Sequence, residues 1–218
     1  ADAIATCKKR GIEGLVVIGG DGSFRGARDL SLRGIPTIGV PGTIDNDIAC
    51  CDYTIGYDTS MNTIMQMVDR IRDTAESHDR CAVVEVMGRG AGYLALTSGI
   101  ACGATSTLIP EVPFDFERDV IDRMKRTQKS GKVHFVIIVS EAIGGVEEMA
   151  KRIQAETGVE TRATILGHVQ RGGSPTAKDR IVASQMGYHA VQLLKDGIGN
   201  RVVAMQKEKI LDIDIFEA

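Results

Sequence analysis

Gly14-Leu15-Val16-Val17-Ile18 runs without interruption into Gly19-Gly20-Asp21-Gly22-Ser23. A short apolar, β-branched run followed at once by a glycine turn predicts a buried strand whose carboxyl end opens onto a helix. The glycines let backbone N–H groups approach an anion closely, and the N-terminus of the following helix favours negative charge there. Asp21 would repel a bare phosphate, so its place in such a turn asks for an intervening cation, for which Mg²⁺ is suited. The same turn is also compatible with a plain strand–helix junction in which Asp21 caps the helix.

The pattern recurs. Thr37-Ile38-Gly39-Val40 leads into Pro41-Gly42-Thr43-Ile44-Asp45-Asn46-Asp47, and Ala82 through Val86 into Met87-Gly88-Arg89-Gly90. Val133 through Val139 leads into Ser140-Glu141, and Ala163 through Leu166 into Gly167-His168-Val169-Gln170-Arg171-Gly172-Gly173. Continuous apolar runs suit parallel strands covered on both faces. Ligands of such sheets sit beyond the strands' carboxyl ends, so all five loops are expected to face one crevice. Helices lie between. Met61, Ile64, Met65, Val68 and Ile71 fall at helical spacing behind Thr59 or Ser60 as N-cap. Phe116, Val120 and Met124 repeat every four residues up to a stop at Gly131, and a long amphipathic stretch runs from Lys178 to Lys195. Met149 and Ile153 mark a shorter helix. Ala3, Ile4 and Cys7 read as the last turns of a helix closing at Gly11, and neither end of the chain is finished by a cap or polar tail, which suggests a piece of a longer chain.

Composition narrows the function. The 218 residues carry 26 Lys+Arg against 29 Asp+Glu, a net charge of −3, so no basic excess exists to release counterions from a nucleic acid. No apolar run approaches the roughly 20 residues of a membrane helix, and no secretory signal opens the chain. Membranes and nucleic acids are therefore not expected as partners. The five cysteines (Cys7, Cys50, Cys51, Cys81, Cys102) contain no C-x-x-C pair and read as reduced thiols of a cytoplasmic protein. His78, His134, His168 and His189 are too scattered for a zinc site. Many glycines (25) with few aromatics (4%) fit an α/β protein whose turns come close to small ligands.

The loops carry candidate chemistry. Asp45 and Asp47 stand two residues apart, so one can accept a proton from an attacking hydroxyl while the other orients it or touches Mg²⁺; an Asx-turn is the structural alternative. Met87-Gly88-Arg89-Gly90-Ala91-Gly92 fails as a dinucleotide fingerprint, because Tyr93 stands where the third glycine belongs. Arg89 instead suits a migrating phosphoryl group. His168 and Arg171, with Arg162 upstream, can clamp a phosphate monoester. Arg80 precedes another strand. Glu141 closes a strand where a carboxylate can bond sugar hydroxyls, or else cap a helix near Gly144.

These motifs, in this order, resemble the bacterial-type 6-phosphofructokinases over essentially the whole chain. Gly-Gly-Asp-Gly alone is shared with NAD and diacylglycerol kinases, but those families do not account for the Thr43–Asp47 and His168–Arg171 loops. The resemblance implies a two-lobed α/β fold of doubly wound, mostly parallel sheets with helices on both faces. Residues 1–56 and 170–218 would form part of a nucleotide lobe and 57–169 a sugar-phosphate lobe, with 170–173 at the interface. It implies transfer of the ATP γ-phosphoryl to the 1-hydroxyl of fructose 6-phosphate. Asp45 is then the base, Thr43 contacts the transferring group, Asp47 supports the Mg²⁺ and phosphate environment, and Arg89 stabilises developing charge. Asp21 belongs to the Mg-ATP site with Gly20, Gly22 and Ser23. Met87, Gly88, Glu141, His168 and Arg171 hold the sugar phosphate. Arg80 and Arg162 match arginines lent across a subunit interface, implying a homotetramer with shared active sites. Pyrophosphate-using relatives carry Asp at the position of Gly22 and Lys at that of Gly42, so glycine at both favours ATP. Arg72, Lys132 and His134 are compatible with an anionic regulator, although Thr105 replaces an acidic residue that helps many relatives hold Mg-ADP. The family's N-terminal Gly-rich loop and C-terminal return segment are not in the sequence. The alternatives are a pyrophosphate-dependent enzyme and a truncated chain that only binds sugar phosphate.

Overall fold

The computed structural model describes residues 2–218. The chain forms two compact units, Ala1–Asp58 with Pro175–Ala218, and Thr59–Ser174. The sequence reading sets its divisions at residues 56 and 170.

The first unit contains helix α1 (Asp2–Lys9), strand β1 (Leu15–Gly19), helix α2 (Asp21–Ser31) and strand β2 (Thr37–Pro41). After the second unit it resumes with α7 (Ala177–Lys195), β7 (Arg201–Gln206) and β8 (Lys209–Asp214). Its sheet has the order β1-β2-β7-β8, parallel except for the β7–β8 hairpin. Phe24 and Ala27 of α2 and Val182, Met186, Ala190 and Leu193 of α7 share one apolar cluster with Ile38, Val40 and Val202–Ala204 of the sheet. Each fully buried aliphatic side chain contributes on the order of 1.5–3 kcal/mol, so this cluster anchors the loops at the strand ends. Two strands here escaped the sequence reading. The hairpin turns at Lys207 and Glu208, both with positive φ (49° and 62°), the conformation of a two-residue type I′ turn without its usual Asn or Gly.

The second unit holds most of α3 (Tyr57–Ser77), then β3 (Cys81–Val86), α4 (Tyr93–Ala101) and β4 (Ser106–Leu108). There follow α5 (Asp122–Lys129), β5 (Phe135–Ser140), α6 (Val146–Thr157), β6 (Thr161–Ile165) and a 3₁₀ turn, Gly167–Arg171. All four strands are parallel, in the order β4-β5-β3-β6. Val83, Ile137 and Val139 face Val120, Met124, Val146 and Ile153 in one cluster. Their neighbours Val84 and Ile138 point to the other face and are equally buried. Both faces of this sheet are therefore covered.

Three local expectations need correction. α3 begins at Tyr57, so Thr59 and Ser60 lie inside its first turn rather than capping it. The segment from Phe116 opens as a π turn, Glu117–Ile121, before α5. The five sequence-predicted strands divide between two sheets, β1 and β2 in one and β3, β5 and β6 in the other. The edge strands β1 and β6 are not covered on both faces: Ile18 is 69% and Ile165 57% exposed. The uniform apolar run reports burial only for the inner strands.

Candidate active site

In the first unit, Gly20 is the N-cap of α2 in extended backbone, and its carbonyl accepts the N–H groups of Ser23 (2.9 Å) and Phe24 (3.1 Å). No side chain caps this helix end, which suits an anion. Gly19 has no room for a side chain, since a Cβ would lie 2.2 Å from Ser23 Oγ. Gly22 is the opposite case: a Cβ there would meet nothing within 4 Å. Neither packing nor backbone geometry requires glycine at 22, although glycine in a helix costs about 0.5–1 kcal/mol relative to Ala. Asp21 is exposed and pairs with Arg25 of the next turn at 2.9 Å.

The loop after β2 lies against this turn. Gly42 N–H donates to Gly19 O at 2.9 Å, and a Cβ on Gly20 would be 3.5 Å from Thr43 Cβ. Thr43 Oγ1 accepts the Asp45 N–H at 3.2 Å. Asp45 is buried, 5% exposed, whereas Asp47 is exposed. Asn46 between them takes left-handed backbone (φ 53°), which its side chain offsets: Oδ1 accepts Thr54 N–H at 2.8 Å and Nδ2 donates to Asp52 O at 3.3 Å. The sequence reading quoted Asn46 but gave it no task; a short amide able to adopt this backbone was the available signal.

In the second unit the chain leaves β3 through a strained turn. Gly88 has φ 143°, and a Cβ there would lie 2.4 Å from Ala91 O; Arg89 is a non-glycine residue at φ 55°. Residues held in such backbone cluster at functional sites. Glu141, just past β5, holds the turn: its Oε1 accepts the N–H of Gly88 at 3.0 Å and of Arg89 at 2.5 Å. Gln170, 1% exposed, accepts Met87 N–H at 3.0 Å and donates to Gly167 O at 3.0 Å, tying the 3₁₀ turn to the same place. It too was quoted without a role. His168 and Arg171 of that turn are exposed. Burial, and then the neighbouring Glu141, push the Glu85 carboxyl above its ordinary range. Met87, Gly88, Arg89, Glu141, His168 and Arg171 thus gather at the carboxyl ends of β3, β5 and β6.

Arg80 and Arg162 do not join them. They stand at the amino ends of β3 and β6, about 17 Å away for a six-residue strand. Both meet Glu160: Arg80 Nε at 2.9 Å and Arg162 Nη2 at 2.6 Å. Hydrogen bonds from Arg80 and then Arg162 hold the Glu160 carboxyl below its ordinary value. A cleft of about 250 Å³ beside them is lined by Arg70, Thr74, Arg80, Arg162 and Thr164. His134 also lies at this end, one residue before the Cys81–Phe135 pairing, and Lys132 precedes it. Arg72 on α3 donates to the Cys102 carbonyl at the end of α4. Among the described residues no group of three or more His, Cys, Asp or Glu is arranged to hold a metal, and no helix is long and apolar enough to cross a membrane.

The geometry can be set beside known proteins. An ATP-dependent 6-phosphofructokinase of Bacillus subtilis is 56% identical over 214 residues, 98% of this chain and 67% of the relative. One of Brevibacillus brevis is 55% identical over 216 residues, again covering 67% of the relative. The chain thus spans about two thirds of the length of these curated relatives. Among solved structures, a phosphofructokinase of Saccharomyces cerevisiae superposes with a TM-score of 0.89 at 34% identity, over 99% of this chain and 34% of the other. A pyrophosphate-dependent phosphofructokinase of Nitrosospira multiformis gives a TM-score of 0.88 at 21% identity over 99% of this chain and 62% of the other, a likeness of fold alone. The family profile described as Phosphofructokinase matches residues 1–194. With the two glycine turns, the Asp45 loop and the Arg89 turn all present in this one polypeptide, the chain belongs to the phosphofructokinase family.

Proposed function

We propose that this chain forms the body of an ATP-dependent 6-phosphofructokinase, a glycolytic phosphotransferase of the cytoplasm. It transfers the γ-phosphoryl of ATP to the 1-hydroxyl of fructose 6-phosphate, giving fructose 1,6-bisphosphate and ADP. The observation that carries the reading is the lock between the two loops of the first unit. The Gly42–Gly19 hydrogen bond and the Thr43–Gly20 contact hold the loop that carries the buried Asp45 against an uncapped helix N-terminus. That packing supports reading Asp45 as the proton acceptor that serves a phosphate cradle.

In this reading Asp45 takes the proton of the 1-hydroxyl as its oxygen attacks the γ-phosphorus, and the β,γ-bridging oxygen leaves with ADP. Thr43 bonds the transferring group and Asp47 orients the phosphates. Arg89 stabilises the charge that grows on the phosphoryl oxygens. Gly20, Gly22 and Ser23 cradle ATP. The donor set fits Mg²⁺: Asp21 is a single exposed carboxylate beside the cradle, and Mg²⁺ usually takes one or two carboxylates, substrate phosphates and water. Bound with ATP, the ion would neutralise phosphate charge. The open space at Gly22 supports ATP over pyrophosphate, because glycine there leaves volume that a side chain would take from a nucleotide phosphate.

Met87, Gly88, Glu141, His168 and Arg171 hold the sugar phosphate. Arg80 and Arg162, at the far end of their strands, serve the site of a neighbouring subunit in a homotetramer. Arg72, Lys132 and His134 offer a site for an anionic regulator. The test is ADP release by the intact protein from ATP with fructose 6-phosphate and Mg²⁺. Turnover should require the sugar phosphate and vanish with EDTA. Equal turnover with pyrophosphate replacing ATP would overturn the donor assignment, and sugar-phosphate binding without turnover would overturn the kinase reading.

A further inference from the structure

We infer that Asp179, a buried carboxylate in the first turn of α7, is a positioning residue for the Thr43–Asp47 loop, acting through Tyr53, Gly56 and the Thr54–Asn46 pair. The inference rests on Asp45 being the base. Asp179 is 2% exposed, and its Oδ1 accepts two donors, the Tyr53 hydroxyl at 2.6 Å and the Gly56 N–H at 2.8 Å. Both donors belong to the segment that returns from the loop. Between them Thr54, fully buried, donates its N–H to Asn46 Oδ1 at 2.8 Å and its hydroxyl to Thr43 O at 2.6 Å. Ile55 N–H donates to Pro41 O at 2.9 Å. Residues 41–46 and 52–56 therefore form a clasp with Asp45 inside it, and Asp179 fastens one arm to α7.

The fastening point is itself fixed. Asp179 N–H donates to the Thr176 hydroxyl oxygen at 3.3 Å, and that hydroxyl donates to Asp58 Oδ2 at 2.6 Å. The third position of a helix also favours a carboxylate. Lys178 Nζ lies 4.4 Å from the Tyr53 ring centroid. Burial, and then the bond to Asp179, push the Tyr53 hydroxyl well above its ordinary value, so it stays a donor. Loss of the Asp179 acceptor leaves two donors without it, one of them the buried Tyr53 hydroxyl, and the clasp can then shift. A displacement of about 1 Å at a reacting group can lower the rate on the order of 10²-fold.

A purely structural cap would lower stability and leave turnover per folded molecule intact. In the intact protein, at a temperature where every variant is fully folded, D179N should lower kcat by about 10–100-fold with both KM values nearly unchanged. Y53F, which removes one hydroxyl, should lower it less and carries the test if D179N does not fold. Amide exchange should speed at Thr54 and Gly56 in both. On a D45S background the kcat effect of either change should largely disappear, because the base it places is gone. Unchanged kcat in both variants, or a full multiplicative loss on D45S, would overturn the inference while leaving the base in place. Near-native turnover of D45S alone would remove the base and the inference with it.

Discussion

In the first unit the loop of residues 41–47 is held directly by uncharged groups, Asn46, Thr54 and backbone amides, and the Asp179 carboxylate acts one step removed, on Tyr53 and Gly56. In the second unit the Met87–Arg89 turn hangs on a charge, since Glu141 accepts two successive N–H groups and Gln170 a third. The first arrangement leaves neutral side chains and backbone to fix the loop that carries Asp45, the residue proposed as the base. The second commits a carboxylate to holding backbone that would otherwise strain at Gly88 and Arg89. Substitutions in the two places should therefore fail differently, one in rate and the other in stability and binding.

The largest effect is expected at Asp45. Asp45→Ser removes the acceptor and keeps the backbone N–H that donates to Thr43, so kcat should fall by roughly 10²–10⁴ while sugar-phosphate KM changes little. Steady-state kinetics on the intact protein decide it, and a matching rise in KM would move Asp45 from chemistry to binding. Glu141→Ala should behave in the reverse way. Hydrogen bonds to a charged group contribute about 1.5–3 kcal/mol, so its midpoint in urea should drop while m is unchanged. The freed turn should also raise sugar-phosphate KM. A variant with wild-type stability would show that the turn holds itself.

Gly22→Asp separates stability from function within the first unit. Open space and a first-turn helix position accept Asp, whose charge is favourable there. Thermal stability should stay within about 0.5 kcal/mol of wild type, while KM for ATP rises about tenfold or more from repulsion of the phosphates. Unchanged ATP kinetics would place the nucleotide elsewhere.

How far the residues alone foretold all this follows the range of the interactions. The inner strands, the long α7 and the glycine turns each carry a local pattern of apolar runs, helical spacing or glycines that is visible in the chain, even though the strands' partners are distant. The β7–β8 hairpin was hidden because Lys207-Glu208 carries no turn signature, and β4 because it has three residues. The start of α3 was misplaced because Gly56 is held by Asp179, 123 residues away, which no local cap signal reveals. At the candidate site the residue types were readable, but their ends of the sheet were not. Arg80 and Arg162 precede or open their strands whereas Arg89 and His168 follow theirs, and only strand register and direction separate the two groups. Asn46 and Gln170 stood inside the quoted motifs, yet their tasks are hydrogen bonds to backbone brought there by folding.

The smallest expected effect is the sharpest difference between the units, because acid acts on them with opposite signs. Burial alone would raise the Asp212 carboxyl on β8, but bonds from His189 (3.0 Å) and Arg201 (2.6 Å) outweigh it and hold the group below the ordinary 3.8. A depressed carboxyl gives stability above the unfolded value and loses it as pH falls through the folded one. Asp212→Asn should thus weaken the first unit near neutrality, by about 1 kcal/mol or less after solvent screening, with the penalty fading below about pH 4. Glu85 is raised above its ordinary 4.5 by burial and by Glu141, so its ionised form is a liability that appears as pH climbs above that value. Glu85→Gln should therefore stabilise the second unit near neutrality and do nothing in acid. Amide exchange resolved by unit, measured at pH 4 and pH 7, reads both signs at once, and two shifts of the same sign would show that neighbouring charges do not set these carboxyls as described.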